Sequence, residues 1–140
     1  MKVKVKYMPD VERLESTVLG DWIDLHVAKS FSIKAGDFGV LPLGVAMQLP
    51  WGYEAIVVPR SSTFKRYGLI MTNSIGVIDE SYCGDADFWG FPFYATRDVE
   101  LIKNTRIAQF RIIKHQPELT FITVDSLRNP SRGGFGSTGV

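Results

Sequence analysis

The sequence predicts an all-β chain, a sandwich or distorted barrel of jelly-roll type with a flexible C-terminal arm, and three observations carry that prediction. Polar and apolar side chains alternate with period two along most of the chain, while a 3.6-residue period hardly occurs. Gly and Pro separate the alternating runs. The runs are short and numerous, which suits a closed or double-layered β architecture within one domain.

In chain order the predicted strands are "KVKVKYM" (2–8), "DWIDLHVA" (21–28), "GVLPLGVAMQL" (39–49) and "YEAIVVP" (53–59). They continue with "GLIMTNSIGVI" (68–78), "DFWGFPFYA" (87–95), "RIAQFRIIK" (106–114) and "LTFITV" (119–124). The lysines of the first run mark an edge strand, because charge there discourages further pairing. One helical turn is expected at "SSTFKRY" (61–67), with Ser61 or Ser62 as its cap. Prolines 42, 50, 59, 92 and 117 are placed at strand ends or edges, where a missing N–H costs no ladder bond. The ending "SRGGFGSTGV" has no apolar period and is rich in glycine, so it reads as a tail that orders only when something holds it. Residues 1–125 are therefore expected to form the barrel and 126–140 a mobile lid.

Composition narrows the function. Sixteen Lys+Arg against fifteen Asp+Glu leave a net charge of +1, without the strong positive field of a protein that binds nucleic acid mainly by charge. No run approaches the length of a membrane span, and the alternating N-terminus is unlike a signal peptide. A single cysteine, Cys83, excludes an intrachain disulfide and suits a reducing compartment. The expectation is a cytoplasmic protein without nucleic-acid or membrane partners. His26 and His115 lack neighbours at metal-ligand spacing and read as strand residues. Trp22, Trp51 and Trp89 read as core or interface side chains.

Three stretches carry chemistry. In "NSIGVIDESYCGD" (73–85) an apolar run meets an acid pair and a tyrosine, then a Gly/Asp hairpin turn. Asp79 held at such a turn has the means to take a proton from water, although acid–turn combinations are also common in plain loops. In "VPRSSTF" (58–64), Arg60, two hydroxyls and the amides of a helix start suit a phosphate; the same residues also suit a cap beside a surface arginine. In "RGGFGSTG" (132–139) the glycines allow several N–H groups to converge beside Arg132, Ser137 and Thr138, the pattern of an anion nest.

With these residues in view, the chain resembles the homotrimeric dUTP pyrophosphatase (dUTPase) family. Its five motifs occur in order as "GDWIDL" (20–25), "PRSS" (59–62), "NSIGVIDESYCG" (73–84), "RIAQF" (106–110) and "GGFGSTG" (133–139). The resemblance implies a homotrimer with three active sites, Mg²⁺, and cleavage of dUTP to dUMP and pyrophosphate. It implies Asp79 as the base for in-line attack of water on the α-phosphorus, and Tyr82 stacked beneath the deoxyribose, where it excludes a 2′-hydroxyl. Asn73 and the backbone of Gly76 to Ile78 read uracil, while Arg60, Ser61, Ser62 and Gln109 bind phosphate. Asp24 meets Mg²⁺ through water. Phe135 stacks on the base as Arg132, Gly136, Ser137 and Thr138 close on the β- and γ-phosphates. The family's usual arginine stands five residues before the lid aromatic, where this chain has Pro130; Arg132 is taken to serve instead, ahead of Arg128.

Two alternatives fit the same fold. A dCTP deaminase carries a glutamate in the strand after the third motif, and "DFWGFPFYAT" has none. A nucleotide-binding or regulatory relative without turnover would have lost Asp79 or the tail, and both are intact.

Overall fold

The computed structural model describes residues 1–16, 19–137 and 139. Among them run β1 (Lys4–Tyr7), β2 (Ile23–His26), β3 (Phe31–Ile33), β4 (Phe38–Pro42), β5 (Val45–Gln48) and β6 (Tyr53–Pro59). A short helix, α1 (Thr63–Tyr67), precedes β7 (Leu69–Met71), β8 (Gly76–Ile78), β9 (Gly90–Ala95), β10 (Val99–Leu101) and β11 (Arg106–Lys114). All pairings are antiparallel, in sheets ordered β2-β11-β6-β8, β4-β9-β7, β1-β5 and β10-β3. Backbone bonds outside the ladders, such as Ala28 N–H to Pro42 O (2.8 Å) and Trp89 N–H to Val45 O (2.8 Å), stitch the sheets into a jelly-roll-like barrel.

Period-two alternation works here because one face of each sheet turns inward. In β6, Ala55 and Val57 are buried while Glu54, Ile56 and Val58, which alternate with them, are half-exposed. The centre holds Leu25, Leu41, Phe91, Ile107 and Trp89. Trp89 meets the Phe110 ring edge-on at 5.2 Å. Burying each large apolar side chain contributes about 1.5–3 kcal/mol.

Several boundaries differ from those the sequence predicts. The run 39–49 is two strands, because Gly44 turns the chain with φ +72° and an added Cβ there would lie 2.7 Å from Val11. The run 68–78 also divides, at Ser74 with φ 59°. β3 and β10 were not predicted; three residues are too few to display a period. The run 119–124 is no strand among the described residues: it is exposed, with no neighbour among them to complete a ladder. The 83–87 segment does turn, with Gly84 N–H donating to Asp87 Oδ2 at 2.7 Å. It closes no β-hairpin, however, because β8 and β9 belong to different sheets.

Pro92 lies inside the central strand β9 rather than at an edge. It is tolerated because its carbonyl accepts from Thr72 N–H, just past the end of β7. Its nitrogen faces that same side, where the ladder has already stopped. Helix α1 is not capped by a serine side chain either; Ser62 occupies the cap position without a side-chain bond. Thr63 does the anchoring: its buried Oγ1 accepts from Arg60 N–H (3.0 Å) and donates to Ile107 O (2.7 Å). Trp89 is core, but Trp51 is exposed at the turn between β5 and β6.

Candidate active site

The largest sheet carries most of the residues singled out by the motifs. Asp24 on β2 lies opposite Gln109 on β11, which in turn lies opposite Val58 on β6. Asp24 holds two guanidinium groups, Arg60 Nε on Oδ1 at 2.8 Å and Arg106 on Oδ2 at 3.1 Å. Gln109 Nε2 donates to Pro59 O at 3.3 Å. Because Thr63 anchors the start of α1, the hydroxyls of Ser61 and Ser62 make no capping bond. Arg60 and Ser61 line a cleft of about 280 Å³ with Phe64, Ile70, Met71 and Ser74. Asn73 lies in the exposed turn beside that cleft. Arginine, hydroxyls and amide on one rim are the donors a phosphate requires.

The other group stands at the far end of β8, the edge strand of this sheet. An edge strand leaves the N–H and C=O groups of alternate residues unpaired, so the Gly76–Ile78 backbone keeps some donors and acceptors free for a planar ligand. Gly76 lies close to β6: an added Cβ would sit 3.1 Å from Val57 Cβ, a tight contact. Ile78, Asp79, Tyr82, Phe88 and Gly90 line a cleft of about 220 Å³. Tyr82 is fixed at its hydroxyl, which donates to Phe88 O at 3.2 Å. The Asp79 carboxylate is exposed and makes no hydrogen bond or ion pair among the described residues.

The structure does not bring these two groups together. Asp79 continues the β8 register opposite Glu54, six residues before Arg60. At about 3.3 Å per residue, the two lie roughly 20 Å apart along the sheet. Asn73, expected beside Asp79 and Tyr82, lies at the Arg60 end. One chain therefore presents two half-sites.

The tail forms a third group. Phe135 is fully exposed, with φ 52°, between Gly133 (φ 86°) and Gly136 (φ 88°). Ser137 N–H donates to Gly134 O at 3.1 Å. Arg132 is exposed, and no hydrogen bond or ion pair among the described residues ties 117–139 to the barrel. Thr138 lies outside the described residues.

His26 and Arg106 are neighbours of the site that motif reading did not assign. Burial pushes the His26 imidazole below its ordinary range, against the opposite pull of Glu12 and Asp24. Its Nε2 lies 3.4 Å from Glu12, and its Nδ1 is buried without a partner among the described residues. Arg106 opens the "RIAQF" motif, and only the cross-strand register reveals that it shares Asp24 with Arg60.

Among the described residues no cluster of three His, Cys, Asp or Glu side chains is arranged to hold a metal ion. Asp24 has both oxygens on guanidinium groups. These residues suit Mg²⁺ only as an ion carried by a triphosphate, with Asp24 reaching its water shell.

An arginine–serine rim, a carboxylate beside an aromatic and an open strand edge, on a jelly-roll barrel, are the equipment of a protein that takes a phosphorylated heterocycle. Comparison with known proteins narrows that class. The dUTPase family model matches residues 22–139. The SPbeta prophage-derived deoxyuridine 5′-triphosphate nucleotidohydrolase YosS of Bacillus subtilis is 56% identical over 141 residues, covering 100% of this chain and 99% of its own. The deoxyuridine 5′-triphosphate nucleotidohydrolase of Orientia tsutsugamushi (strain Ikeda) is 34% identical, covering 100% and 99%. Among solved structures, the Staphylococcus bacteriophage 80alpha dUTPase with dUPNHPP superposes with a TM-score of 0.77 at 21% identity, covering 99% of each chain. A mutant dUTPase of phage phi11 of S. aureus, which coordinates a structural Mg(II) ion, gives 0.75 at 16% identity, covering 92% of this chain and 100% of that one. The chain belongs to the dUTPase family.

Proposed function

We propose that the protein hydrolyses dUTP to dUMP and pyrophosphate, as a homotrimer whose active sites are shared between subunits. The observation that carries the reading is the end-to-end match to a dUTP nucleotidohydrolase at 56% identity. The half-sites agree with it in chemistry. The free edge of β8 offers uracil alternating donors and acceptors, and the flat Tyr82 ring beneath the deoxyribose leaves no room for a 2′-hydroxyl. Arg60, Ser61, Ser62 and Gln109 bind phosphate oxygens and stabilise charge as it moves to the leaving pyrophosphate. Asp79 takes a proton from the water that attacks the α-phosphorus in line. Mg²⁺, entering with the triphosphate, would neutralise phosphate charge, and Asp24 would hold its water shell.

Asp79 and Arg60 serve one triphosphate only if they come from different subunits, since a single chain holds them too far apart. The exposed apolar run Leu119–Val124 then finds its missing partner on a neighbour, and the lid 126–140 closes Phe135 and Arg132 over a neighbouring barrel's ligand. The enzyme acts in the cytoplasm, where its nucleotide substrate is. Pyrophosphate release from a panel of dNTPs and UTP with Mg²⁺ tests the reading: release from dUTP alone is expected, whereas equal cleavage of UTP would overturn the sugar pocket, and deamination of dCTP would assign the related activity.

A further inference from the structure

The segment that carries Asp79 is anchored in three places. Trp89 at its far end is buried in the core. Lys6 Nζ donates to Asp85 O at 2.9 Å in its middle. At its near end Glu80 Oε2 accepts from Gly52 N–H at 2.6 Å, a short bond to a half-buried carboxylate. Around Asp79 it joins two backbone restraints, the β8 ladder that ends at Ile78 and the Tyr82 N–H donated to Asp79 O at 3.0 Å, and it is the only one of the three anchors made by a side chain next to Asp79.

Its receiving end is rigid. Pro50 to Tyr53 form a tight turn closed by Tyr53 N–H to Pro50 O at 3.2 Å, with Gly52 at φ +84°. A positive φ at the third turn residue is the geometry that glycine supplies, and it aims the Gly52 N–H away from the turn. The Gly52 carbonyl is held too, accepting from His115 N–H at 3.1 Å, just past the end of β11. Glu80 is thus fastened to a glycine held by its turn and by the residue that follows β11.

Resting on the dUTPase reading, we infer that Glu80 is a positioning residue: its bond to the Gly52 N–H helps fix the backbone beside Asp79, so that a carboxylate with no bond among the described residues is presented to the attacking water in one place. Asp79 reacts only when oriented, and misplacement by about an ångström costs up to ~10²-fold in rate. A charge-assisted bond to a fixed N–H is the stronger kind, and its loss strands that donor.

The test is steady-state dUTP hydrolysis by wild-type protein, Asp79→Asn, Glu80→Ala, Glu80→Gln and Glu80→Asp, with thermal melting of each. Glu80→Ala should lower kcat by ~10-fold with KM little changed and only a modest fall in melting temperature, since Glu80 touches no substrate and only its bond to Gly52 is lost. Glu80→Gln keeps an acceptor oxygen at the same reach and should restore most of kcat; Glu80→Asp, one methylene short, should not. Full kcat in Glu80→Ala overturns the inference. So does a loss that Glu80→Gln fails to rescue, or one that follows KM and melting temperature together. Should Glu80→Ala not fold, the contrast between Gln and Asp decides. A wild-type protein that releases no pyrophosphate from dUTP would instead sink the functional reading, leaving the two failures distinct.

Discussion

In the proposed mechanism turnover depends on Asp79, whose exposed carboxylate, with no hydrogen bond or ion pair among the described residues, suits a base awaiting substrate. Asp79→Asn keeps the shape and removes proton acceptance; turnover should fall by ~10²-fold or more while dUTP still binds. Comparing kcat with equilibrium binding of a non-hydrolysable analogue separates the two effects, and near-normal turnover would remove Asp79 from the mechanism. Tyr82→Ala should weaken use of dUTP and admit UTP, read as a fall in the ratio of their kcat/KM values. His26 gives a pH dependence of folding. Its pKa is lowered from 6.5 by burial, with Glu12 and Asp24 opposing. The unfolded chain therefore binds the proton more readily, so stability is complete above that value and declines as the pH falls below it. Melting of wild-type protein should drop between about pH 7.5 and pH 5 by more than that of His26→Gln. Equal slopes would show that His26 is no burden to the fold.

At the level of elements, β6 coincides with its predicted run Tyr53–Pro59, and β11 with Arg106–Lys114. Both cross the middle of a sheet with one face buried, and there period two is strongest. The signal fails where burial is one turn long or absent. β3 and β10 are too short to show alternation, and Gly44 breaks a run whose pattern continues on both sides of it. The candidate site was legible as residue types, because Asp79, Tyr82, Arg60 and Ser61 lie in compact motifs. Its division was not, since the distance between Arg60 and Asp79 depends on the register of β6 against β8. Gly44→Ala should destabilise by about 1–3 kcal/mol, because a positive φ and the Val11 contact both penalise the methyl. Chemical denaturation measures this, and an unchanged midpoint would contradict the close approach.

The whole molecule exposes surface that a lone barrel has no reason to show. Phe38, Tyr94 and Ile70 lie in one cross-strand row on β4, β9 and β7, and are 80%, 43% and 47% exposed. Val77 is 59% exposed on the site-bearing sheet, and Phe121 and Ile122 are 90% and 81% exposed on the arm. Exposed apolar side chains of this kind suit an interface, which the proposed sharing of sites between subunits would use. Refolding two inactive proteins together tests that sharing most directly. One is the chain ending at Asp125, which keeps every strand and lacks the lid; the other is full-length Asp79→Asn, which keeps the lid and lacks the base. Mixed trimers contain sites with Asp79 from the truncated chain and a lid from its neighbour, so pyrophosphate release from dUTP should return. Mixed trimers that assemble and remain inactive would contradict an active site built across subunits.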